Sequence, residues 1–126
     1  MAVTRSPISF VATSKPEDTK AFYQQVLGLT LIEQSPYALA FNDGNHMLRV
    51  QIVTRFSPAA HTAHGWRVLD IEREIADLTS KGVTFLKFDQ LAQDASGVWK
   101  TSDGHKIAWF KDPSGNTLSL TEYVDP

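Results

Sequence analysis

The sequence predicts an α+β protein in which a β-α-β-β-β order of elements occurs twice. Short runs of β-branched and aromatic residues, separated by glycine, proline, asparagine and aspartate, predict strands. In each half a helical run stops at a glycine and a similar strand follows: residues 28–31 read Gly-Leu-Thr-Leu and residues 82–85 read Gly-Val-Thr-Phe. One such half cannot cover both faces of its small sheet, whereas two halves packed side by side can.

Composition and charge narrow the functions that are expected of the chain. Its 126 residues, 42% of them hydrophobic, suit one domain with a buried core. A net charge of −2 without a basic stripe argues against nucleic acid as a partner. The lack of cysteine excludes disulfides, thiolate metal sites and a cysteine nucleophile. Neither a membrane-length apolar run nor a leader at residues 1–7 is visible, so we expect a cytoplasmic protein with no membrane partner.

The first module is expected to occupy about residues 7–53. Residues 14–17 (Ser-Lys-Pro-Glu) match a capping box with proline inside the first helical turn. Gly28 is a natural stop for that helix. The strands predicted for this module cover residues 8–12, 29–32, 37–41 and 46–53.

The second module is expected at residues 65–123, after an irregular connector at residues 54–64. Asp70 is the predicted N-cap of its helix, which ends at Lys81-Gly82. Residues 112–116 (Asp-Pro-Ser-Gly-Asn) predict a tight hairpin, because proline presets φ and glycine supplies a positive φ. The strands predicted for this module cover residues 66–69, 83–86, 97–101, 105–111 and 117–121.

Three features together resemble one known family over nearly the whole chain. They are the repeated element order, the pair Phe22-Tyr23 followed by Val26-Leu27-Gly28, and the hairpin of residues 112–116. In this order they resemble the vicinal-oxygen-chelate superfamily of glyoxalases, bleomycin-resistance proteins and extradiol dioxygenases, and most of all its small bacterial glyoxalase-like members. The resemblance implies two modules that form an open, curled mixed sheet, with a divalent metal and the substrate on its concave face.

The metal ligands that the resemblance implies are absent from the matching positions. The family has His or Gln on the first strand, Glu late in the first module, His at the start of the second module and Glu on the last strand. These positions fall on Ile8, on Arg49 or Gln51, on Trp66 and on Ser119. None of these residues is a histidine or a carboxylate, whereas a divalent metal needs several such donors. We therefore expect no metal and no cofactor.

The four histidines do not restore a catalytic or metal-binding set. His61 and His64 have HxxH spacing, but they lie in the predicted connector without a nearby carboxylate, so an exposed loop pair is the favoured interpretation. His46 fits a strand end, and His105 opens a hairpin, where a solvated turn residue is favoured over a site residue. No nucleophile with an adjacent base is visible either, so the sequence does not decide whether the chain is an enzyme.

Without metal-binding residues, the implied site resembles an apolar cleft with a few orienting polar groups. Trp66 fits a ligand wall and a core-filling residue equally well. An inward Arg49 needs a partner, which would be an anionic ligand or a carboxylate such as Glu33 or Glu122. Trp109 could face either side of its sheet. The expected cleft residues are Ile8, Phe10, Arg49, Gln51, Trp66, Trp99 and Ser119.

The leading hypothesis is a metal-free protein that binds a small molecule, of the sequestering type that bleomycin-resistance proteins represent. The ligand would be aromatic or apolar with a polar or anionic end. The alternatives are a glyoxalase-like lyase or isomerase, or a dioxygenase-related enzyme, with displaced or substrate-supplied metal ligands, and a fold kept for protein interaction. A homodimer is expected, because exposed sheet edges favour pairing and family members commonly dimerise.

Overall fold

Each half of the chain forms its own four-stranded mixed sheet in the computed structural model, which describes residues 4–124. The chain divides into two units between Ser57 and Pro58. Each unit has the order β-α-β-β-β, so the predicted α+β class and its repeated module are confirmed. None of the helices within residues 4–124 has the length and apolar character needed to cross a membrane.

The first unit places its strands in the order β1-β4-β3-β2, with β1 parallel to β4 and the other pairs antiparallel. Its helix α1 continues directly into a π-helical turn. The elements are β1 (Ile8–Thr13), α1 (Pro16–Ala21), the π-helical turn (Phe22–Val26), β2 (Thr30–Gln34), β3 (Ala38–Asp43) and β4 (His46–Ile52).

The start of α1 differs from the predicted capping box, because the N-cap is Lys15 and not the residue before it. The buried Thr13 organises this turn: its Oγ1 accepts from the Lys15 N–H at 2.9 Å and hydrogen-bonds Thr19 Oγ1 at 2.8 Å. Pro16 lies in the first turn as predicted. Gly28 follows the helical segment with φ +75°, which is the left-handed stop that its position predicted.

The helical segment covers one face of the first sheet, which we call its helix face. Tyr23 stacks on Phe41 with ring centroids 5.5 Å apart. Side chains alternate along a strand, so Phe41 shares this face with Leu39, Leu48 and Val50. These neighbours are fully buried. The opposite, helix-free face carries Ile8 and Phe10.

The second unit repeats this arrangement in the order β5-β8-β7-β6, with β5 parallel to β8. The elements are β5 (Thr62–Arg67), α2 (Ile71–Ser80), β6 (Trp99–Lys100), β7 (Lys106–Lys111) and β8 (Thr117–Glu122). Strand β5 starts inside the predicted connector and ends before the predicted strand does. Parallel pairing with β8, interrupted by one irregularity between Thr62 and His64, extends it backwards.

The strand predicted at residues 83–86 is not formed, and residues 83–88 are irregular. One backbone bond links this segment to β7, from Leu86 N to Trp109 O at 2.8 Å. The Gln93 side chain supplies further partners: its amide donates to Leu86 O and Gly97 O and accepts from Phe88 N. A side-chain amide thus takes the place of a strand ladder. The predicted edge strand at residues 97–101 is present but shorter, as β6.

Helix α2 covers the helix face of the second sheet. Asp70 caps it by accepting from Arg73 N at 3.2 Å, and its buried residues are Ile71, Ile75 and Leu78. The Ile71 N–H donates to Glu122 Oε1 at 2.9 Å, which fixes the start of the helix to β8. The buried residues that the sheet contributes to this face are Ala108, Phe110, Leu118 and Leu120.

The predicted hairpin between β7 and β8 is held by buried side chains. Asp112 Oδ1 accepts from Ser114 N and Asn116 N, both at 3.0 Å, and its Oδ2 accepts from Asn116 Nδ2 at 2.8 Å. Gly115 has φ +90°, so it supplies the left-handed residue of the turn. The hairpin fixes the register of β7 and β8 and hence of Ser119.

Candidate functional site

The first sheet brings four of the expected site residues onto its helix-free face. The parallel register of β1 and β4 pairs Phe10 with Arg49 and Ala12 with Gln51. Ile8 pairs with Met47, so neither Arg49 nor Gln51 lies directly beside Ile8. Ile8 and Phe10 are 45% and 56% exposed. The four residues therefore share one face, which also carries Met47.

Arg49 lies in a row that crosses the first sheet. Its register neighbours are Phe10 on β1 and Ala40 on β3, and Glu33 of β2 pairs with Ala40. Within residues 4–57 no ion pair joins Arg49 to a carboxylate. Glu122, the other carboxylate considered as a partner, accepts from the Ile71 N–H instead.

The second sheet places Ser119 beside Gly65, and not beside Trp66. Gly65 of β5 and Trp109 of β7 are its two register partners. A Cβ on Gly65 would overlap Ser119 Oγ, which shows that the two residues share one side of the sheet. Gly65 is therefore the residue of β5 beside the family's last ligand position. Gly65 precedes the predicted strand of residues 66–69, and only the observed β5 places it inside a strand, where a glycine often marks a close approach.

Trp66 lies on the helix face of the second sheet, opposite to Ser119. It pairs in register with Leu120, stacks on Phe110 at 6.5 Å between ring centroids and contacts the ring of His64 at 4.8 Å. The sequence assigned Trp66 and Ser119 to one site, but this placement puts them on opposite sides of the sheet. It favours the core-filling alternative for Trp66.

The helix-free face of the second sheet carries an aromatic wall. Trp99 and Trp109 stack with ring centroids 6.2 Å apart, and Phe88 meets Trp109 edge-on at 5.4 Å. The indole Nε1–H of Trp109 donates to Thr62 Oγ1 at 3.1 Å, which fixes the orientation of that ring. Trp109 therefore faces the helix-free side of its sheet. The wall also contains Phe88, which lies in a segment for which the sequence predicted no role.

A second aromatic cluster lies towards the end of β8 on the same face. The guanidinium carbon of Arg67 lies 5.3 Å from the ring centroid of Tyr123. The His105 ring meets Tyr123 at 4.9 Å, and His105 Nδ1 accepts from Val124 N at 3.1 Å. His105 thus has a partner in the protein, as a turn residue would. Sequence reasoning missed Arg67, because the predicted strand gave no reason to single it out.

The remaining histidines lie apart from this face. His46 Nε2 and Ser9 Oγ are 2.7 Å apart on the helix face of the first sheet. His64 contacts Trp66 on the helix face of the second sheet, and His61 is exposed. The HxxH pair therefore does not form a joint site with Ser119.

A metal does not fit the residues at the family positions. Ile8 and Trp66 offer no donor, nor does Gly65 beside Ser119, and Ser119 itself offers a neutral hydroxyl. The second position offers either the positive charge of Arg49 or the single amide oxygen of Gln51. Within residues 4–124, one group of three carboxylates lies close together: Asp70, Glu72 and Glu122. Each of these has a structural partner.

The carboxylate group near the start of α2 is already engaged by the protein. Asp70 caps the helix, Glu122 accepts from Ile71 N, and Glu72 pairs with Lys106 Nζ at 3.0 Å. The hydrogen bond and charge of Glu72, with the charges of the other two carboxylates, raise the pKa of Lys106 above its ordinary value. A cation of the protein itself therefore pairs with one of the three carboxylates, Glu72.

Comparison with known proteins gives the same fold. The chain resembles a lactoylglutathione lyase from Agrobacterium tumefaciens, with 15% identity and a TM-score of 0.74 over 97% of this chain and 96% of that one. It resembles the antibiotic-binding protein TnmS3 from Streptomyces sp. CB03234, with 22% identity and a TM-score of 0.71 over 98% and 99%. It also resembles a glyoxalase family protein from Enterococcus faecalis, with 24% identity and a TM-score of 0.74 over 94% of this chain and 98% of that one.

No curated protein matches the sequence. A family model, however, matches residues 8–120, which is most of the chain, and its description is the Glyoxalase/Bleomycin resistance protein/Dioxygenase superfamily. The repeated module and the closing hairpin point to the same family as this match. The chain belongs to the Glyoxalase/Bleomycin resistance protein/Dioxygenase superfamily.

Proposed function

We propose that this protein binds an aromatic or apolar small molecule with a polar or anionic end, and that it does so without a metal. The observation that carries the proposal is the aromatic wall on the helix-free face of the second sheet. Trp99 and Trp109 present indole surface there, and Ser119 lies beside Trp109, with Gly65 on the other side of Ser119. Rings next to small side chains offer both contact area and room for a flat ligand.

On the second sheet the proposed contacts differ from the sequence-based set in two residues. Trp99 and Ser119 stay, with Trp109 added, and Trp66 is omitted because it lies on the helix face. The other expected residues, Ile8, Phe10, Arg49 and Gln51, share the helix-free face of the first sheet. They are not among the contacts proposed for the ligand of the second sheet.

Binding without catalysis is favoured by the donor set and not by the comparisons. The fold relatives include both a lyase and an antibiotic-binding protein, and at 15% and 22% identity they support the fold alone. A glyoxalase needs a metal to polarise its substrate and activate proton transfer. The residues at the family positions do not suit one, so no observation of this chain favours the enzyme alternative.

The proposal is tested by nuclear magnetic resonance of ¹⁵N-labelled protein with a panel of small aromatic compounds. The chain has three tryptophans, so three indole N–H signals are expected and can be assigned with single Trp→Phe variants. A bound ring should shift the signals of Trp99 and Trp109 and leave that of Trp66 nearly unchanged. Saturable shifts of Trp66 alone, or none for any compound, would contradict the proposal.

We further propose a cytoplasmic homodimer. The dimer is supported by the edge strands of the two sheets, β1 and β2 in the first and β5 and β6 in the second, and light scattering tests it. The location follows from the composition of the chain, and cell fractionation with an antibody to the untagged protein would check it.

A further inference from the structure

We infer that the helix-free face of the second sheet selects aromatic carboxylates, with Arg67 binding the carboxylate and the tryptophans holding the ring. The inference rests on the proposed small-molecule-binding function and names the ligand class and the residue that selects it. It replaces Arg49 with Arg67 as the cation that recognises the anionic end.

The geometry is a row of four residues in direct register across the second sheet. Arg67 on β5 pairs with Thr121 on β8, Thr121 with Ile107 on β7, and Ile107 with Trp99 on β6. In-register residues share a face, so the row presents a cation, a hydroxyl, an aliphatic side chain and an indole in that order. We call it the transverse row.

The length of the transverse row limits the size of the ligand. Three strand spacings of about 4.8 Å separate the backbones of its two end residues, which gives roughly 14 Å. The long side chains of Arg67 and Trp99 take part of that span. A compound of one or two fused rings with one carboxylate has a suitable length.

Arg67 is held in place without being neutralised. Its guanidinium lies over the ring of Tyr123 at 5.3 Å, and Tyr123 is packed against His105. Stacking uses the flat face of a guanidinium and leaves its in-plane N–H donors available. Within residues 58–124 no carboxylate forms an ion pair with Arg67. The nearest acidic residue along β8, Glu122, is directed to the helix face, where it accepts from Ile71 N.

The opposite end of the row is fixed as well. Trp99 stacks on Trp109, whose indole N–H is bonded to Thr62. Ile107 lies between the cation and the indoles, where it offers apolar contact to the middle of a ligand. A positioned cation that can bind a carboxylate through two parallel bonds, opposite a fixed aromatic surface, matches an aromatic carboxylate in both charge and shape.

Arg49 provides the matched control, because it is the other arginine on a helix-free face. Its row on the first sheet runs through Phe10, Ala40 and Glu33 and contains no tryptophan. The two arginines therefore differ in whether a tryptophan lies in the same row.

The experiment compares 2-naphthoate with its neutral analogue 2-naphthamide. Affinities are measured by isothermal titration calorimetry and indole N–H shifts on the wild type, Arg67→Gln and Arg49→Gln, with circular dichroism to check folding. We expect Arg67→Gln to weaken naphthoate binding at least about tenfold, as loss of a charged hydrogen bond implies. Binding of naphthamide should change little, and Arg49→Gln should leave both affinities near those of the wild type.

The outcomes separate this inference from the function on which it rests. If both compounds bind and shift the Trp99 and Trp109 signals, but Arg67→Gln leaves the preference for the carboxylate intact, the inference is overturned and the binding function stands. The same holds if Arg49→Gln removes the preference. If neither naphthoate nor naphthamide binds the wild type, the selection of aromatic carboxylates is overturned, and the wider compound panel decides the binding function.

Discussion

Gly65 and Ser119 show how closely two residues can fix each other on a sheet. A Cβ at Gly65 would overlap Ser119 Oγ and approach the Ser119 carbonyl oxygen to 3.1 Å. Any side chain at position 65 therefore needs Ser119 to move. The glycine therefore lets β5 and β8 come close together beside Ser119.

Gly65→Ala should lower the free energy of unfolding by about 1 kcal/mol. Overpacking of this kind costs about 1–3 kcal/mol, and rotation of the serine hydroxyl to another staggered position keeps the cost at the low end. In a Ser119→Ala background the same change should cost clearly less, because Oγ is gone. Urea denaturation of the four proteins gives the coupling energy. Equal costs in both backgrounds would contradict the contact, and Ser119→Ala alone is the control.

The sequence predicts on which face of a sheet a side chain lies only where the strand and its period-two alternation are known. The faces of Ile8, Phe10, Arg49 and Gln51 follow from period two once their strands are identified. On β5 a shift of one residue exchanges the faces, so the pattern did not show that Trp66 and Ser119 lie on opposite sides of the sheet. The register of β5 against β8 depends on pairing between residues about fifty positions apart, which local pattern does not encode.

At the scale of elements, capping and turn residues predicted boundaries well wherever one local bond decides them. Asp70 caps α2, Gly28 and Gly82 end their helices with positive φ, and the hairpin at residues 112–116 forms. The strand expected at residues 83–86 failed for the opposite reason. Its β-branched and aromatic residues suit a strand, but Gln93 takes up the backbone groups of the segment, and that contact is tertiary.

The loop at residues 94–98 should make a small contribution to stability that depends on pH. Burial raises the pKa of Asp94, but hydrogen bonds from the Ser96 side chain and from the backbone of Val98, Ser96 and Gly97 outweigh it, so the pKa lies below its ordinary value. A lowered pKa in the folded state means that the stabilisation is complete above the unfolded value of 3.8. It is lost as the pH falls from there through the folded value.

Asp94→Asn tests this contribution, because it keeps an acceptor oxygen and removes the titration. The difference in unfolding free energy between wild type and variant should be constant above about pH 5 and should shrink as the pH falls below 3.8. It should be small, since the side chain is mostly exposed and screened. Denaturant titrations from pH 2.5 to 6 measure it. A difference that grows towards acid pH would contradict the assignment.

At the scale of the whole molecule, the sequence predicted the class and the duplication because both depend on patterns repeated along the chain. It did not predict which arginine lies on the same face of the sheet as the tryptophans. Arg67 enters that face only through the register of β5 with β8, and through Tyr123 at the end of β8.

The family positions lie two on each sheet, and their donor set predicts that the protein binds no stoichiometric metal there. Isoleucine, tryptophan, serine and arginine or glutamine cannot replace the hydration shell of zinc, nickel or manganese. We expect less than stoichiometric metal by elemental analysis of untagged protein, no shift of Tm with added ions, and no glyoxalase I activity. A metal that binds the native state would raise Tm by mass action, so a rise of several degrees that variants at these positions abolish would disprove the prediction.

The last prediction concerns assembly. Sheet order leaves β1 and β2 as edges of the first sheet, and Ile8 and Ile32 on them are 45% and 52% exposed. An edge strand with exposed apolar side chains is a template for pairing, and two-fold pairing of identical edges is the simplest closed assembly. Light scattering at micromolar concentration should therefore give about twice the 14.0 kDa of the chain. Ile8→Lys places a charge on the β1 edge, and Ile32→Lys places one on the β2 edge. The variant whose edge forms the interface should become monomeric. The other should stay dimeric and serves as its control. A wild type that is monomeric at micromolar concentration would refute the homodimer.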